Sequence, residues 1–372
     1  MADPAIWKQV PFHFWTVAAF VFGCIVGSFL NVCIHRLPRG ESLVRPASHC
    51  PHCGYSIPWH LNIPLGTWLW LRGRCAHCKA PISARYFWVE LLTGTAFAAC
   101  WMRFGHVSPA LPLVYCLLIS GLIAASFIDF EHLIIPDQIT FGGMAAGLLC
   151  SFLAPGTHLN FPQFSRLVSR GAGLVDSFLG MAVGAGVVYA ILRLGKLLFG
   201  RQKMELPPAS RICFTENSVK LPAEEIPYED LFYRKADAIA LQARRAELID
   251  RCYADAAVRL TAESLNIGGD SYDPEGIKWL EVETDRIILP REAMGPADVT
   301  FMAAIGAFLG WPAVFFSLTI SSVIGSMVGG TLIVLNKKDW SSRIPYGPYI
   351  AVGAVIWIFG GYQWLGLILP PH

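Results

Sequence analysis

Long stretches without a charged residue constrain this chain more than any other feature of its sequence. Residues 14–34 and 299–336 are the clearest of these stretches. About 20 apolar residues are enough for a helix to cross a bilayer. Charged residues make up only 15% of the chain and the net charge is +2, which excludes a disordered chain and nucleic-acid binding through bulk charge. The sequence therefore predicts a protein that crosses a membrane several times.

The apolar runs predict an all-α polytopic membrane protein with about eight transmembrane helices. Residues 299–336 are too many for one helix, and Gly310-Trp311-Pro312 near their middle predicts a turn between two spans. The expected spans are 14–34, 89–102, 107–128, 138–153, 177–192, two within 299–336, and 346–371.

Basic residues predict the orientation of these spans, because cytoplasmic loops carry an excess of Lys and Arg. Residues 35–85 contain seven such residues and a single acid, Glu41. With eight spans and both termini outside, the segments 35–85, 129–137, 200–298 and 336–345 are expected in the cytoplasm.

One long segment is too polar for lipid. Residues 201–297 contain 13 Lys and Arg against 18 Asp and Glu, so this part carries −5. We expect a cytosolic insert domain over 201–290, of α or α+β class, with an amphipathic helix at 235–260 and strand-like pieces such as 277–282. The simplest interpretation of this insert is a regulatory or spacing element without chemistry of its own.

Two matched cysteine pairs stand in the loop after the first span. Cys50 and Cys53 form one C-x2-C pair, and Cys75 and Cys78 form the other. Two such turns can supply the four sulfur ligands of a tetrahedral zinc ion. Because four Cys ligands leave no open position, the predicted Zn²⁺ or equivalent metal is structural.

The same loop also allows other arrangements of its cysteines. Disulfides are disfavoured in a reducing cytosol, and unpaired core thiols would not recur as matched pairs. His52 and His77 lie inside the two turns and could replace a Cys ligand.

Carboxylates beside the spans are the candidates for catalysis, because ionisable groups near lipid are costly and usually functional. Asp129 ends the third span and Asp298 opens the sixth. Two carboxylates at one depth could share a proton and activate a water, as in aspartic proteases. Asp137 and Asp298 could instead cap the helices that follow them.

Glu90 lies near the start of the second span. It could pair with Arg85 or with a polar neighbour inside the bundle.

These motifs, in this order, resemble the type IV prepilin peptidases, a family of membrane aspartic proteases. The resemblance covers about three quarters of the chain. It rests on Gly27-Ser-Phe-Leu-Asn-Val32, Arg36-Leu-Pro38, the paired C-x2-C loop, Arg85-Tyr86 with Val89-Glu90-Leu91, Ile128-Asp129 with Pro136-Asp137, Glu292-Ala-Met-Gly295 before Asp298-Val299, and the run from Ala304 to Trp311.

The resemblance implies a reaction and a location. Such enzymes cleave the basic leader of prepilins and pseudopilins at the cytoplasmic face of the bacterial inner membrane. Many then methylate the new N-terminus with S-adenosylmethionine. Asp129 and Asp298 match the two catalytic Asp positions, and Glu90, Asp137 and Gly295 are expected to support them. No nucleotide-binding fingerprint is visible in the sequence, so the cofactor-binding residues are not assigned.

Three features depart from the family pattern. The family has Gly-x-Gly-Asp before the second catalytic Asp, whereas this chain has Ala297 in place of the second Gly. An Ala at a position of positive φ would be strained by roughly 1 kcal/mol or more. Thr300 stands where Lys is common. The insert directly precedes this loop and could bind pilus or type II secretion components.

Two functions from different classes follow. The first is the peptidase. Its expected partners are prepilin and pseudopilin substrates and the lipid bilayer, and no nucleic acid is expected to bind. The alternative is a catalytically impaired, zinc-stabilised membrane assembly factor.

The expected organisation is a first span (1–34), a four-Cys module (35–85), helices with the first Asp (86–200), the insert (201–290), and the second catalytic loop with the last helices (291–372).

Overall fold

The computed structural model describes residues 12–154, 170–199, 201–222, 225–228, 231–232, 237–248, 251–274, 279–290, 295–335, 345–361 and 363. The chain divides into two compact units. One comprises Met1–Tyr189 with Pro296–His372, and the other comprises Ala190–Gly295.

The first unit is helical. Its α-helices are α1 (Phe12–Arg36), α2 (Gly66–Trp70), α3 (Ala84–Phe104), α4 (Ala110–His132), α5 (Asp137–Leu153), α6 (Arg170–Phe199, which continues into the second unit), α7 (Pro296–Leu309), α8 (Trp311–Val334) and α9 (Gly347–Ile356). Short 3-10 turns occur at Leu37–Arg39 and Trp59–Leu61.

Four helical stretches among the described residues are long and apolar enough to cross a membrane. They are Phe12–Arg39, Ala110–His132, Gly171–Gly195 and Trp311–Leu332. The prediction of eight spans is therefore not confirmed. Helices α5, α7 and α9 have 17, 14 and 10 residues, and at 1.5 Å per residue they are shorter than the ~30 Å hydrocarbon core. The last predicted span is 346–371, and its final residues, 364–371, lie outside the described residues.

The predicted break inside residues 299–336 is confirmed. Helix α7 ends at Leu309 and α8 begins at Trp311. Gly310 between them has a φ of 77°, a conformation that a residue with a Cβ adopts only at a cost.

Glycines let α1 approach α3 closely. A Cβ on Gly27 would lie 2.7 Å from the Cα of Glu90, and one on Gly23 would lie 2.8 Å from the Cα of Gly94. The close approach also allows the Asn31 side-chain amide to donate to the backbone carbonyl of Tyr86 at 3.0 Å. The end of α1 is thereby fixed against the start of α3.

The second unit contains an eight-stranded antiparallel sheet. Its strands are β1 (Arg201–Thr215), β2 (Ser218–Lys220), β3 (Glu225–Pro227), β4 (Ala238–Leu248), β5 (Arg251–Thr261), β6 (Leu265–Ile267), β7 (Asp270–Tyr272) and β8 (Trp279–Pro290). They lie in the order β3-β2-β1-β8-β4-β5-β6-β7. Strand β8 pairs with β1 so that Pro290 is opposite Arg201, which places the two ends of the sheet segment side by side.

The helix predicted at 235–260 is wrong, and the described residues of the insert form a sheet instead of the expected α or α+β domain. Strands β4 and β5 occupy this segment as antiparallel neighbours. Ile239, Leu241 and Ala243 are buried in alternation along β4, as a strand with one face on a core requires. The Ala-, Arg- and Glu-rich composition favours a helix, but pairing with β8 and burial of one face of the sheet override that weak preference.

Candidate active site and metal centre

The four predicted cysteines meet at one point. The Sγ atoms of Cys50, Cys53, Cys75 and Cys78 all lie within 4.8 Å of one another, and those of Cys50 and Cys78 are 3.8 Å apart. Tetrahedral zinc with Zn–S bonds of about 2.3 Å requires sulfur separations of about 3.8 Å. The donor set therefore fits a closed structural zinc site.

The two halves of this centre have the same local fold. In the first turn the Gly54 N–H donates to the carbonyl of Cys50 at 2.9 Å, and in the second the Lys79 N–H donates to the carbonyl of Cys75 at 3.1 Å. Gly54 and Lys79 both have positive φ, 68° and 60°. The sequence repeat is thus a structural repeat. His77 stacks on Tyr55 and, like His52, is outside the metal-ligating group found among the described residues.

Backbone amides favour the thiolate form of one cysteine in this cluster. Hydrogen bonds from the backbone of Cys78 and then His77 lower the pKa of Cys75 to about 6. Thiolates are the form that binds metal, so this cysteine is ready to bind at neutral pH.

Glu90 points toward the cysteine-containing module. It is 7% exposed, and its Oε2 accepts a hydrogen bond from the Leu65 N–H at 2.7 Å. Leu65 has a φ of 59°, a conformation that costs energy in a residue with a Cβ. The suggested pairing of Glu90 with Arg85 is wrong, because the Arg85 guanidinium pairs with Glu131.

Asp129 occupies the last turn of α4 and is 6% exposed. Its Oδ2 accepts a hydrogen bond from the Gly347 N–H at 2.8 Å. Gly347 is the first residue of α9, so this carboxylate lies at a helix N-terminus, where the helix dipole and free N–H groups favour an anion.

Gly347 is a residue of the site that the sequence analysis missed. A Cβ here would lie 2.8 Å from the Asp129 Oδ2 and 3.1 Å from the Ile135 Cδ1. The signal available in the sequence was Gly347-Pro348 at the start of an apolar run, since Pro is frequent in the first helical turn.

Asp298 lies in the first turn of α7 and is 8% exposed. Ala297, just before it, is helical and has no positive φ, so the strain expected from Ala in place of Gly is absent. The Thr300 Oγ1 donates to the Ala297 carbonyl at 3.0 Å. The loop of the family pattern is here rebuilt as the start of a helix. Gly295 precedes that helix and is exposed, whereas Glu292 lies outside the described residues.

The helices that carry Asp129 and Asp298 share two neighbours. Helix α9 packs against α4 and α7, and α5 also packs against both. The two buried carboxylates therefore stand at the ends of helices that belong to one packed group.

Asp137 has a different environment. It is the first residue of α5, preceded by Pro136 in the cap position, and its side chain is exposed. It is therefore not the cap residue that was suggested, although its charge near the N-terminus of α5 is favourable.

Two family models match the chain. The bacterial peptidase A24 N-terminal domain matches residues 21–104, and the type IV leader peptidase family matches residues 116–204 and 276–330. The unmatched interval 205–275 falls within the sheet of the second unit.

Several similar proteins carry related names. A prepilin leader peptidase/N-methyltransferase of Myxococcus xanthus is 50% identical over 130 residues, which are 35% of this chain and 38% of that protein. A prepilin leader peptidase/N-methyltransferase of Aeromonas hydrophila is 29% identical over 366 residues, which cover 91% of this chain and 89% of that protein. A type 4 prepilin-like proteins leader peptide-processing enzyme of Escherichia coli is 44% identical over 144 residues, 34% of this chain and 53% of that protein. No solved structure matches.

Proposed function

Because the chain belongs to the type IV leader peptidase family, we propose that it removes leader peptides from type IV prepilins or pseudopilins at the cytoplasmic face of the bacterial inner membrane. The observation that carries the mechanism is the burial of Asp129 and Asp298 at the ends of α4 and α7. The relatives named prepilin leader peptidase/N-methyltransferase support prepilins as the substrate class.

In the proposed mechanism the two Asp side chains act as an acid–base pair. One carboxylate takes a proton from a water, which attacks the scissile carbonyl, while the other, protonated, polarises that carbonyl. The amide nitrogen leaves with a proton from the acid. The Gly347 N–H orients the Asp129 carboxylate through Oδ2, so α9 acts as a positioning element for the reaction.

The alternative of an impaired assembly factor has lost its main support. It rested on strain at Ala297, and that residue is helical without positive φ.

The proposed peptidase is organised into a first span (1–34), a cysteine-containing module (35–85), helices with the first Asp (86–200), an insert (201–290) and the second catalytic loop with the last helices (291–372). Contacts with pilus or type II secretion components through the insert remain part of the proposal.

We also propose that the same chain methylates the new N-terminus. S-adenosylmethionine, when bound, would supply the methyl group that replaces a proton of the new N-terminal amine, with S-adenosylhomocysteine and that proton as the other products. The cysteine-containing module would hold its zinc with Cys50, Cys53, Cys75 and Cys78.

Mass spectrometry of a pilin co-expressed with this protein tests both activities at once. The expected product has lost its leader and gained the mass of one methyl group at its N-terminus. Unprocessed pilin in the presence of correctly inserted protein would contradict the proposed peptidase.

Metal analysis of the purified, reduced protein should find about one zinc per chain, because the four thiolates form one closed site. Replacing Cys50 and Cys75 with Ser should remove it, with greater loss of stability and methylation than of cleavage. The Cys252→Ser variant is the matched control, since Cys252 is an exposed thiol in β5 and should leave the zinc in place. Less than a tenth of an equivalent in wild-type protein would refute a zinc site.

The Ala297→Gly substitution should give no gain in cleavage, although it restores the family pattern. Gly in a helix costs about 1 kcal/mol relative to Ala, and Ala297 lies in the first turn of α7. Cleavage rates of the two proteins provide the measurement, and a severalfold increase in the Gly variant would show that Ala297 strains the catalytic loop.

A further inference from the structure

The residue before Gly347 belongs to the same helical turn as the amide that meets Asp129. Tyr346 is the N-cap of α9, and its backbone carbonyl accepts hydrogen bonds from the N–H groups of Tyr349 and Ile350 at 3.1 and 3.2 Å. The next N–H along the chain, that of Gly347, donates to the Asp129 Oδ2. A displacement of the Tyr346 backbone would therefore carry this amide away from the carboxylate.

The side chain of Tyr346 contacts two serines of α8. Its hydroxyl oxygen lies 2.9 Å from the Ser321 Oγ and 3.1 Å from the Ser322 Oγ. Both serine hydroxyls donate to the carbonyl of Leu318, at 2.9 and 2.8 Å, so their protons are already used. The Tyr346 O–H is therefore the donor in this contact, and the serine oxygens accept.

This contact lies at the end of α9 that matters for the carboxylate. Further along α9, Gly353 packs on the backbone of α8, where a Cβ would lie 2.8 Å from the Ser317 carbonyl oxygen. A glycine packed on a backbone sets how closely the two helices approach, but it leaves the start of α9 free to tilt. The Tyr346 hydroxyl provides a second point of attachment there. Its acceptor Ser321 is fully buried, so bulk water does not compete for the bond.

We propose that Tyr346 is a positioning residue for leader cleavage. By donating to the two serines of α8, it holds the start of α9 where the Gly347 N–H meets the Asp129 carboxylate. The inference rests on the peptidase function proposed above and extends the positioning role from one backbone amide to a named side chain. Because Tyr346 acts through Gly347 and not on the substrate, its loss should lower turnover without weakening substrate binding.

The Tyr346→Phe substitution keeps the aromatic ring and removes only the donor. With purified prepilin and the full-length protein in detergent, we expect kcat to fall about fivefold and KM to change less than twofold. Tyr349→Phe is the matched control, since the Tyr349 ring packs edge-on against that of Tyr346 at 6.3 Å and its hydroxyl has no hydrogen-bond partner in the described part of the chain. The control should keep the parental kcat. A raised KM at parental kcat in Tyr346→Phe would overturn the positioning role.

Removing the acceptors tests the same bond from α8. The double variant Ser321→Ala/Ser322→Ala leaves Tyr346 unchanged and should also lower kcat about fivefold, and adding Tyr346→Phe to it should cost less than a further twofold. Thr319→Ala is the control, because Thr319 is exposed on α8 and its hydroxyl donates only within that helix. If the tyrosine and serine effects multiplied in full, the two sides would act separately and the proposed bond would be refuted.

The Gly347→Ala background separates positioning of Asp129 from general support of the fold. The added Cβ would lie 2.8 Å from the Asp129 Oδ2, so the contact with α9 is already disturbed there, and Tyr346→Phe should lower kcat less than twofold. A fivefold fall in both backgrounds would mean that Tyr346 acts independently of Gly347, against the proposal. Parental kcat in Tyr346→Phe would overturn the role of this residue alone, whereas absence of cleavage by the parental protein would contradict the proposed peptidase as well.

Discussion

Replacing either Asp129 or Asp298 with Asn should abolish leader cleavage while the protein remains folded in the membrane. Asn is nearly isosteric with Asp, but it cannot accept a proton from the attacking water or return one to the leaving nitrogen. Acid–base groups of this kind typically contribute factors of about 10² to 10⁴, so the rate of pilin processing should fall at least 100-fold. Mass spectrometry of co-expressed pilin and the zinc content of each variant are the measurements.

Asp137→Asn is the control for this pair. Asp137 is exposed at the start of α5, and Asn there loses only a small favourable interaction with the helix dipole. We therefore expect most of the cleavage activity to remain. If Asp298→Asn processed pilin at the parental rate, the assignment of the catalytic pair would fail, and Asp129 with Asp137 would be the pair to test next.

The Gly347→Ala substitution should have the second largest effect. The added methyl group would lie 2.8 Å from the Asp129 Oδ2 and 3.1 Å from the Ile135 Cδ1, closer than real Cβ contacts allow. Because Asp129 is itself buried, it has to move or give up its hydrogen bond from the α9 N-terminus. We expect cleavage to fall roughly 10- to 100-fold, since a small misplacement of a catalytic group can cost that much.

Gly330→Ala distinguishes this contact from a general effect of adding methyl groups to helices. Gly330 lies in α8, is exposed, and a Cβ there would meet nothing within 4 Å. Its replacement should leave cleavage unchanged. Parental activity in Gly347→Ala would mean that the α9 N-terminus does not position Asp129.

The insert shows where local sequence preference misleads. Residues 235–260 have the composition of a helix, but Ile239, Leu241 and Val258 face the core of a sheet together with Ile287 of β8. Their alternation with polar residues was present in the sequence. What the segment lacked was any local sign that β8, some 30 residues further along the chain, would pair with it.

The cysteine centre shows the opposite case. Each C-x2-C turn closes through hydrogen bonds between residues four apart, Cys50 to Gly54 and Cys75 to Lys79. Such short-range geometry is encoded in the motif itself, and because the two turns repeat, the grouping of all four thiols could be predicted without knowledge of the fold.

The sequence by itself determined the membrane class, the break at Gly310 and the four-cysteine grouping, because each depends on composition or on contacts within a few residues. Only the tertiary structure decided which N–H meets the Asp129 carboxylate, which backbone amide holds Glu90, and that the insert is a sheet. The Asp129–Gly347 contact joins residues 218 apart in the chain. Its existence depends on how α4 and α9 pack, and packing is set by the combined burial of many side chains rather than by any local pattern.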